Sequence, residues 1–347
     1  MSQPAPVIPP ADLPGPGPAP GGGRLYGALN VLGVYVLVLA LVAAGMLISR
    51  EFLTYDNLMN ALRAVTLLGI VAVGLAVVTY SRHYGDLSIP GIMALSGTVA
   101  VWALKYGIVA SLAAGLGTGL LLGLVNGLVV GYLRLNPIIW TLAMMSLLSG
   151  LIRWAYAGRQ IYPDQATAAG RAFLGLYHLR LFGLVPLPVA ILIVLAAAAM
   201  FLMRRTAFGA QLKLTGSSYE AARLTGVNVR RVVATTFVLS AFASAVAGIL
   251  LTSFNKVGAV YIGDGYDFRT ITAVVLGGMT LAGGRGGIVG VLGGVMVIAL
   301  MSNVMSLVRV GDFVIGEFPK NIVQGAVFIL VVGINSYSRR KAGTDDA

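Results

Sequence analysis

A carboxylate, a hydroxyl and an amide stand at the edge of, or inside, otherwise apolar sequence, and these groups have chemistry to offer. Asp86 and Ser88 open the run YGDLSIPGIMALSG (84–97), with Pro90 two positions further on. A carboxylate ahead of a first helical turn accepts from exposed backbone N–H groups and suits the positive end of the helix dipole. The same carboxylate can line a polar pathway where a half helix begins, and the residues alone leave both readings open. Asn126 lies within GLVNGLVVGYLRLNPIIWTLAMMSLLSG (123–150). An amide in such surroundings hydrogen-bonds a neighbouring helix or faces a wet cavity, and the first role is the more common. In the same run Pro137 suits a first helical turn, and Thr141 can satisfy a carbonyl freed there. Gly277 and Gly278, in ITAVVLGGMTLAGGRGGIVGVLGG (271–294), complete the candidates for a pathway through the molecule.

No catalytic constellation accompanies these groups. The chain has no cysteine, so disulfides and thiolate metal sites are excluded. His83 and His178 fall in different loops and make a poor metal pair. The string GGRGG around Arg285 lacks the G-x-x-x-x-G-K-[ST] spacing of a phosphate-binding loop and reads as a tight turn between helices. The acidic residues sit in expected loops, tails or span ends, so no titratable relay of the kind a proton-coupled carrier uses is apparent at membrane depth.

The elements that position these residues follow from composition. Of 347 residues, 58% are hydrophobic and 10% charged, where soluble domains carry roughly 25% charged residues. Apolar runs long enough to cross the hydrocarbon core recur along the chain, so it reads as all-α, a polytopic helical membrane protein. Spans are expected near 25–49, 57–80, 88–104, 107–132, 136–153, 184–203, 232–253, 270–282, 287–307 and 321–336, about ten in all. The 270–282 run is short and broken by glycine, and reads as a re-entrant or half helix. Residues 1–24 form a Pro/Gly-rich tail expected to be disordered, 25–336 the membrane domain, and 337–347 a second tail. The net charge of +12 fits membrane orientation and anionic headgroups better than nucleic acid. The basic cluster of residues 204–231 and Arg339, Arg340 and Lys341 place both termini on the cytoplasmic side. Each half also pairs a broken segment with a proline-bearing loop, Pro137 and Pro319, a pattern that points to a pathway between repeats.

One polar, partly basic segment interrupts the apolar runs: TGSSYEAARLTGVNVRR (215–231). Ala221, Ala222, Leu224 and Val227 recur at helical spacing, and Gly216 and Gly226 punctuate the segment. It reads as about one long amphipathic helix plus a turn. A short amphipathic helix held outside the membrane offers a surface for a partner, or else is a plain solvated connection.

Four pieces taken in order resemble the permeases of ribose-type (monosaccharide) ABC importers, within the wider group that includes branched-chain amino-acid permeases. They are DLS with MALSG, GLVNGLVVGYLRLNPIIWTL, FGAQLKLTGSSYEAARLTGVNVRRV and AVVLGGMTLAGGRGGIVG. The resemblance covers about residues 57–335. It implies a second permease chain, identical or not, in the bacterial cytoplasmic (inner) membrane. It further implies an ABC ATPase subunit that holds ATP and Mg, with no cofactor on this chain, and a periplasmic or lipid-tethered sugar-binding protein. Gly216, Glu220, Ala221, Ala222, Gly226 and Asn228 would form the coupling helix that docks on the ATPase. One departure is TYSRHYGDLS (79–88), where Arg82 and His83 stand in place of common glycines and put an ordinary ribose substrate in doubt. Branched-chain amino acids or nucleosides are the alternative solutes, and a stand-alone secondary carrier the alternative class.

Overall fold

The computed structural model describes residues 23–83, 85–310, 313–314, 316, 319–330 and 333. Both expected tails, apart from residues 23 and 24, and the end of the last expected span lie outside the described residues. The first half is built from helices α1 (Gly23–Ile48), α2 (Tyr55–Tyr80), α3 (Ile89–Ala103), α4 (Ile108–Leu128) and α5 (Pro137–Ala155). A short α6 (Ala168–Leu176) and a two-stranded hairpin follow. The hairpin is β1 (Arg180–Leu181) against β2 (Val185–Pro186), antiparallel, with Arg180 opposite Pro186. The second half comprises α7 (Leu187–Arg205), α8 (Ala207–Ser217), α9 (Tyr219–Leu224), α10 (Val229–Asn255), α11 (Tyr266–Leu276) and α12 (Ile288–Leu307). A hairpin of β3 (Arg309–Val310) and β4 (Phe313–Val314) leads to a last helix, α13, over 319–330.

Eight of these helices are long and apolar enough to cross a membrane among the described residues. They match eight of the ten expected spans. The 270–282 stretch is α11, whose 11 residues rise only about 16 Å and cannot cross the core alone. The chain nevertheless passes from one side to the other here. Ser253, near the end of α10, bonds Phe173 and Tyr177 of the α6 region. Gly284, after α11, accompanies Tyr80 and Gly216 beside the other end of α10. Residues 256–287 therefore make the passage as a half helix flanked by irregular backbone.

Two helices carry the core. Every residue of α2 from Thr66 to Thr79 is buried, and α10 is buried along most of its length, as expected of helices apolar on all sides. By contrast α1, α4, α5 and α7 bury under a quarter of their spanning windows and present apolar side chains outward, the surface that lipid covers. The seam between α4 and α10 is a row of glycines four residues apart. A Cβ on Gly119, Gly123 or Gly127 would crowd Ala245, Ala241 and Ala234 of α10 respectively. Small residues on both sides let the backbones approach, the usual basis of helix association in lipid. Gly123→Leu is expected to lower the thermal midpoint of the detergent-solubilised protein by several degrees, since overpacking costs about 1–3 kcal/mol. An unchanged midpoint would show that the seam tolerates separation.

Polar clasps fasten the ends. Asn57 of α2 and Asn303 of α12 exchange amide hydrogen bonds of 3.1 and 2.8 Å. Gln324 of α13 accepts from Arg269 Nε at 3.0 Å and donates to Ser302 Oγ at 2.6 Å, joining α11, α12 and α13. Pro137 occupies the first position of α5, where the missing N–H has no partner to lose, and Pro319 lies in the described part of α13.

Candidate functional site

Asp86, Ser88, Asn126 and Thr141 converge. All four are fully buried, and four helices supply or receive the bonds. Asp86 Oδ1 accepts from the Ser88 backbone N–H at 3.0 Å and from the Ser88 hydroxyl. Its Oδ2 lies 3.5 Å from Ser240 Oγ of α10. Asn126 of α4 donates Nδ2–H to Ser88 Oγ at 2.8 Å and accepts from Trp140 Nε1–H of α5 at 2.9 Å. Thr141 of α5 accepts from the Leu87 N–H at 3.0 Å and donates to the Pro137 carbonyl at 2.8 Å. The expected satisfaction of a first-turn carbonyl by Thr141 is thus observed. The amide joins neighbouring helices as expected, whereas Asp86 accepts the N–H of Ser88, which precedes α3, and caps none of the first-turn N–H groups of that helix.

Asp86 lies in the segment that precedes α3, where an acid at a span end was expected, and there it is buried against Ser240, the twelfth residue of α10, roughly 16 Å along that helix. Asp267, at the start of α11, is also buried among its neighbours. Buried carboxylates therefore stand inside the bundle, one just before α3 and one at the start of the short α11. Sequence reasoning missed this because both aspartates flank apolar runs rather than interrupting them.

The two interrupted segments meet. Residues 85–88 lead into α3, and 256–265 lead into α11. A Cβ on Gly263 would overlap the Pro90 backbone, and one on Gly85 would reach Ile271 Cδ1 at 3.2 Å. Irregular backbone at membrane depth is tolerated only where protein buries it or water lines it, and here the two breaks cover one another between α2 and α10. Gly277 and Gly278 lie away from this junction. Gly277 packs against Gly290 of α12, and Gly278 turns the chain with φ 84°. The junction therefore does not include them.

The second cluster is the polar segment after α7. It is not one long helix: α8 ends at Ser217, α9 starts at Tyr219, and Ser218 caps α9 through a 3.2 Å bond from the Ala221 N–H. The expected apolar stripe is split by the packing. Ala222 is fully buried and Val227 half-buried, whereas Ala221 is exposed and Leu224 is 86% exposed. Glu220, Arg223, Gly226 and Asn228 also face outward. Asn228 accepts from the Arg231 N–H at 3.2 Å and starts α10, and Gly226 turns the chain with φ 81°.

Gly216 anchors this segment. A Cβ there would collide with the Tyr80 carbonyl oxygen and come within 2.8 Å of the Gly284 nitrogen. Gly284 N–H itself donates to the Tyr80 carbonyl at 3.0 Å. The Arg82 guanidinium donates to the Ser217 carbonyl at 3.4 Å, and Gly283 lies over the Arg82 backbone. The end of α2, the GGRGG turn and the end of α8 therefore form one close-packed clasp. Arg82 adopts φ 71°, a left-handed backbone in which a glycine carries no Cβ penalty. Beside it, the His83 ring packs edge-on to Phe237 at 6.0 Å. Burial pushes this imidazole below the usual histidine value, against an opposing contribution from its Ser81 backbone hydrogen bond.

Among the described residues no group of three or more His, Asp or Glu side chains is placed to hold a metal ion.

The model of the branched-chain amino acid transport system / permease component family matches residues 57–332. The L-arabinose ABC transporter permease protein AraH of Azospirillum brasilense is 32% identical over 93% of this chain and 93% of its own length. The Escherichia coli L-arabinose transport system permease AraH is 32% identical over 92% of each chain. The Escherichia coli ribose import permease RbsC is 31% identical over 87% of this chain and 92% of its own. With its multiple membrane-crossing helices and a match across most of its length, the chain belongs to this family of ABC transporter permease components.

Proposed function

We propose that the chain is the permease subunit of an ATP-driven importer and forms, with a second permease chain, the pathway for a monosaccharide. A solute-binding protein delivers the sugar, and an ABC ATPase holding ATP and Mg drives the cycle. The observation that carries this reading is the surface of α9. A short helix presents Glu220, Ala221, Arg223 and an almost wholly exposed Leu224, while Ala222 and Gly216 fasten it to the membrane helices. An apolar side chain left in water on a rigidly seated helix suits a partner groove. Closure of the ATPase pair would move α9, and the clasp at Gly216 would pass that motion to α2 and α12 as a rigid-body step.

The relatives named for L-arabinose and ribose support a sugar over an amino acid as the solute. Both termini lie on the cytoplasmic side in this reading, the side that carries α8 and α9.

Leu224→Asp is expected to leave the protein folded, because the side chain packs against little of its own chain. It should reduce co-purification of the ATPase about tenfold or more, as for the truncation of an interface anchor worth about 2 kcal/mol. Glu220→Lys should uncouple hydrolysis from uptake. Gly226→Trp has open space for its side chain but strains the turn, so it should act through backbone geometry. A Leu224→Asp protein that binds the ATPase as the parent does would contradict the docking role of α9. ATPase stimulation by a binding protein loaded with leucine, but not with pentoses or hexoses, would move the solute to amino acids.

A further inference from the structure

A cleft of about 400 Å³ opens beside the clasp, between the end of α7, the face of α8 and the start of α12. Met200, Met203 and Ile288 give it an apolar wall, and Arg204 and Lys213 stand as its two cations. Among the described residues no acidic side chain lines it. Arg204 is in the last turn of α7, a 19-residue apolar helix that is mostly exposed to lipid. The cleft is therefore level with the headgroups of the leaflet where α7 ends, with hydrocarbon on one side and water on the other. The neighbouring Arg205 is also exposed but is not part of the lining.

We propose that this cleft binds the headgroup of an anionic phospholipid. The phosphate would lie between Arg204 and Lys213, and the glycerol and upper acyl carbons along Met200, Met203 and Ile288. Three features fix the occupant. Two cations without a lining carboxylate select a negative charge. The apolar wall is the inward side of the last turns of α7, where Met200 and Met203 pack half-buried against the core beside buried Ile288, and a wall of this kind beside two cations selects an amphiphile over a free anion. The depth places both parts at the bilayer surface, where each Lys or Arg attracts anionic headgroups. Because α8 forms one wall and the turn before α12 another, a bound lipid would touch the same elements that the clasp joins. The proposal does not depend on which solute is carried.

Native mass spectrometry of the full chain, extracted from vesicles of mixed phosphatidylglycerol and phosphatidylcholine, tests it. The parent protein should retain phosphatidylglycerol selectively. The Arg204→Ala/Lys213→Ala double variant should lose that retention by roughly thirtyfold, from two headgroup cations at the strength typical of each. Arg205→Ala, which removes an equal charge outside the cleft, should retain the lipid as the parent does, and a thermal midpoint near the parent's confirms that the double variant is folded. Excess inorganic phosphate should fail to displace the lipid. Equal retention in parent and double variant would overturn the proposal, as would equal loss in Arg205→Ala or displacement by phosphate alone.

Discussion

Gly216→Val should abolish at least nine-tenths of substrate uptake while the ATPase still associates. The new side chain would collide with the Tyr80 carbonyl and with the Gly284 backbone. Both obstacles are main chain, so no rotamer change relieves them. Overpacking costs about 1–3 kcal/mol, and fixed backbone on two sides puts this case at the upper end. A shift of 1.4 kcal/mol already corresponds to about tenfold in an equilibrium. The strain falls where α8 meets the end of α2 and the GGRGG turn, so it should separate α9 from the membrane helices without altering α9's own exposed face. The expected signature is hydrolysis that no longer responds to the solute-binding protein, with binding of the ATPase retained. Gly216→Ala should show the same defect in weaker form. Normal uptake by the valine variant would show that the clasp transmits nothing.

The second large effect is expected at Asn126. Asn126→Leu removes the acceptor of Trp140 Nε1–H and the donor to Ser88 Oγ together. A single interhelical hydrogen bond in a membrane protein is worth only about 0.6 kcal/mol on average, because the unfolded chain in lipid also finds partners. Asn126 holds two, and one of them supports Ser88, which in turn bonds Asp86. Leaving the indole N–H buried and unpaired adds a cost of about 1–3 kcal/mol. A loss of about 2 kcal/mol is therefore expected, measured as the midpoint of unfolding in mixed micelles. Trp140→Phe removes the indole donor without stranding it and should cost less than Asn126→Leu. If the two variants are equally stable, the network does not hold α3 to α4 and α5.

Much of this architecture was legible because membrane helices are set by local composition. Apolar length placed eight of the spans, and the glycine-broken 270–282 run already read as a half helix. The proline at 137 and Thr141 gave a correct first turn, since that chemistry spans four residues. What stayed hidden was long-range. Asp86 and Ser240 are 154 positions apart and Asn126 and Ser88 are 38 apart, and no spacing rule connects them. Trp140 and Ser240 were passed over because an indole and a serine in apolar helices carry no signal until a partner is known. Gly216 read as helix punctuation, although its role is to let three backbones touch. The break in the polar segment could have been read from Ser218, a helix-start signal three residues before Ala221. The helix α6 was obscured by an arginine-bearing loop, although Thr167 caps it through Gly170 N–H. The outward side of Leu224 was not legible, since helical periodicity shows which residues share a face but not which face is covered.

The central claim is that α9 and its clasp connect an ATPase to a sugar pathway. The most direct test is uptake of labelled arabinose and ribose into proteoliposomes that hold the chain, its ATPase and the solute-binding protein, with ATP supplied on the α9 side. Uptake that requires ATP, and that disappears in Gly216→Val while the complex stays assembled, is the predicted result. Uptake by the purified chain without ATPase or ATP would contradict it and make the chain a secondary carrier.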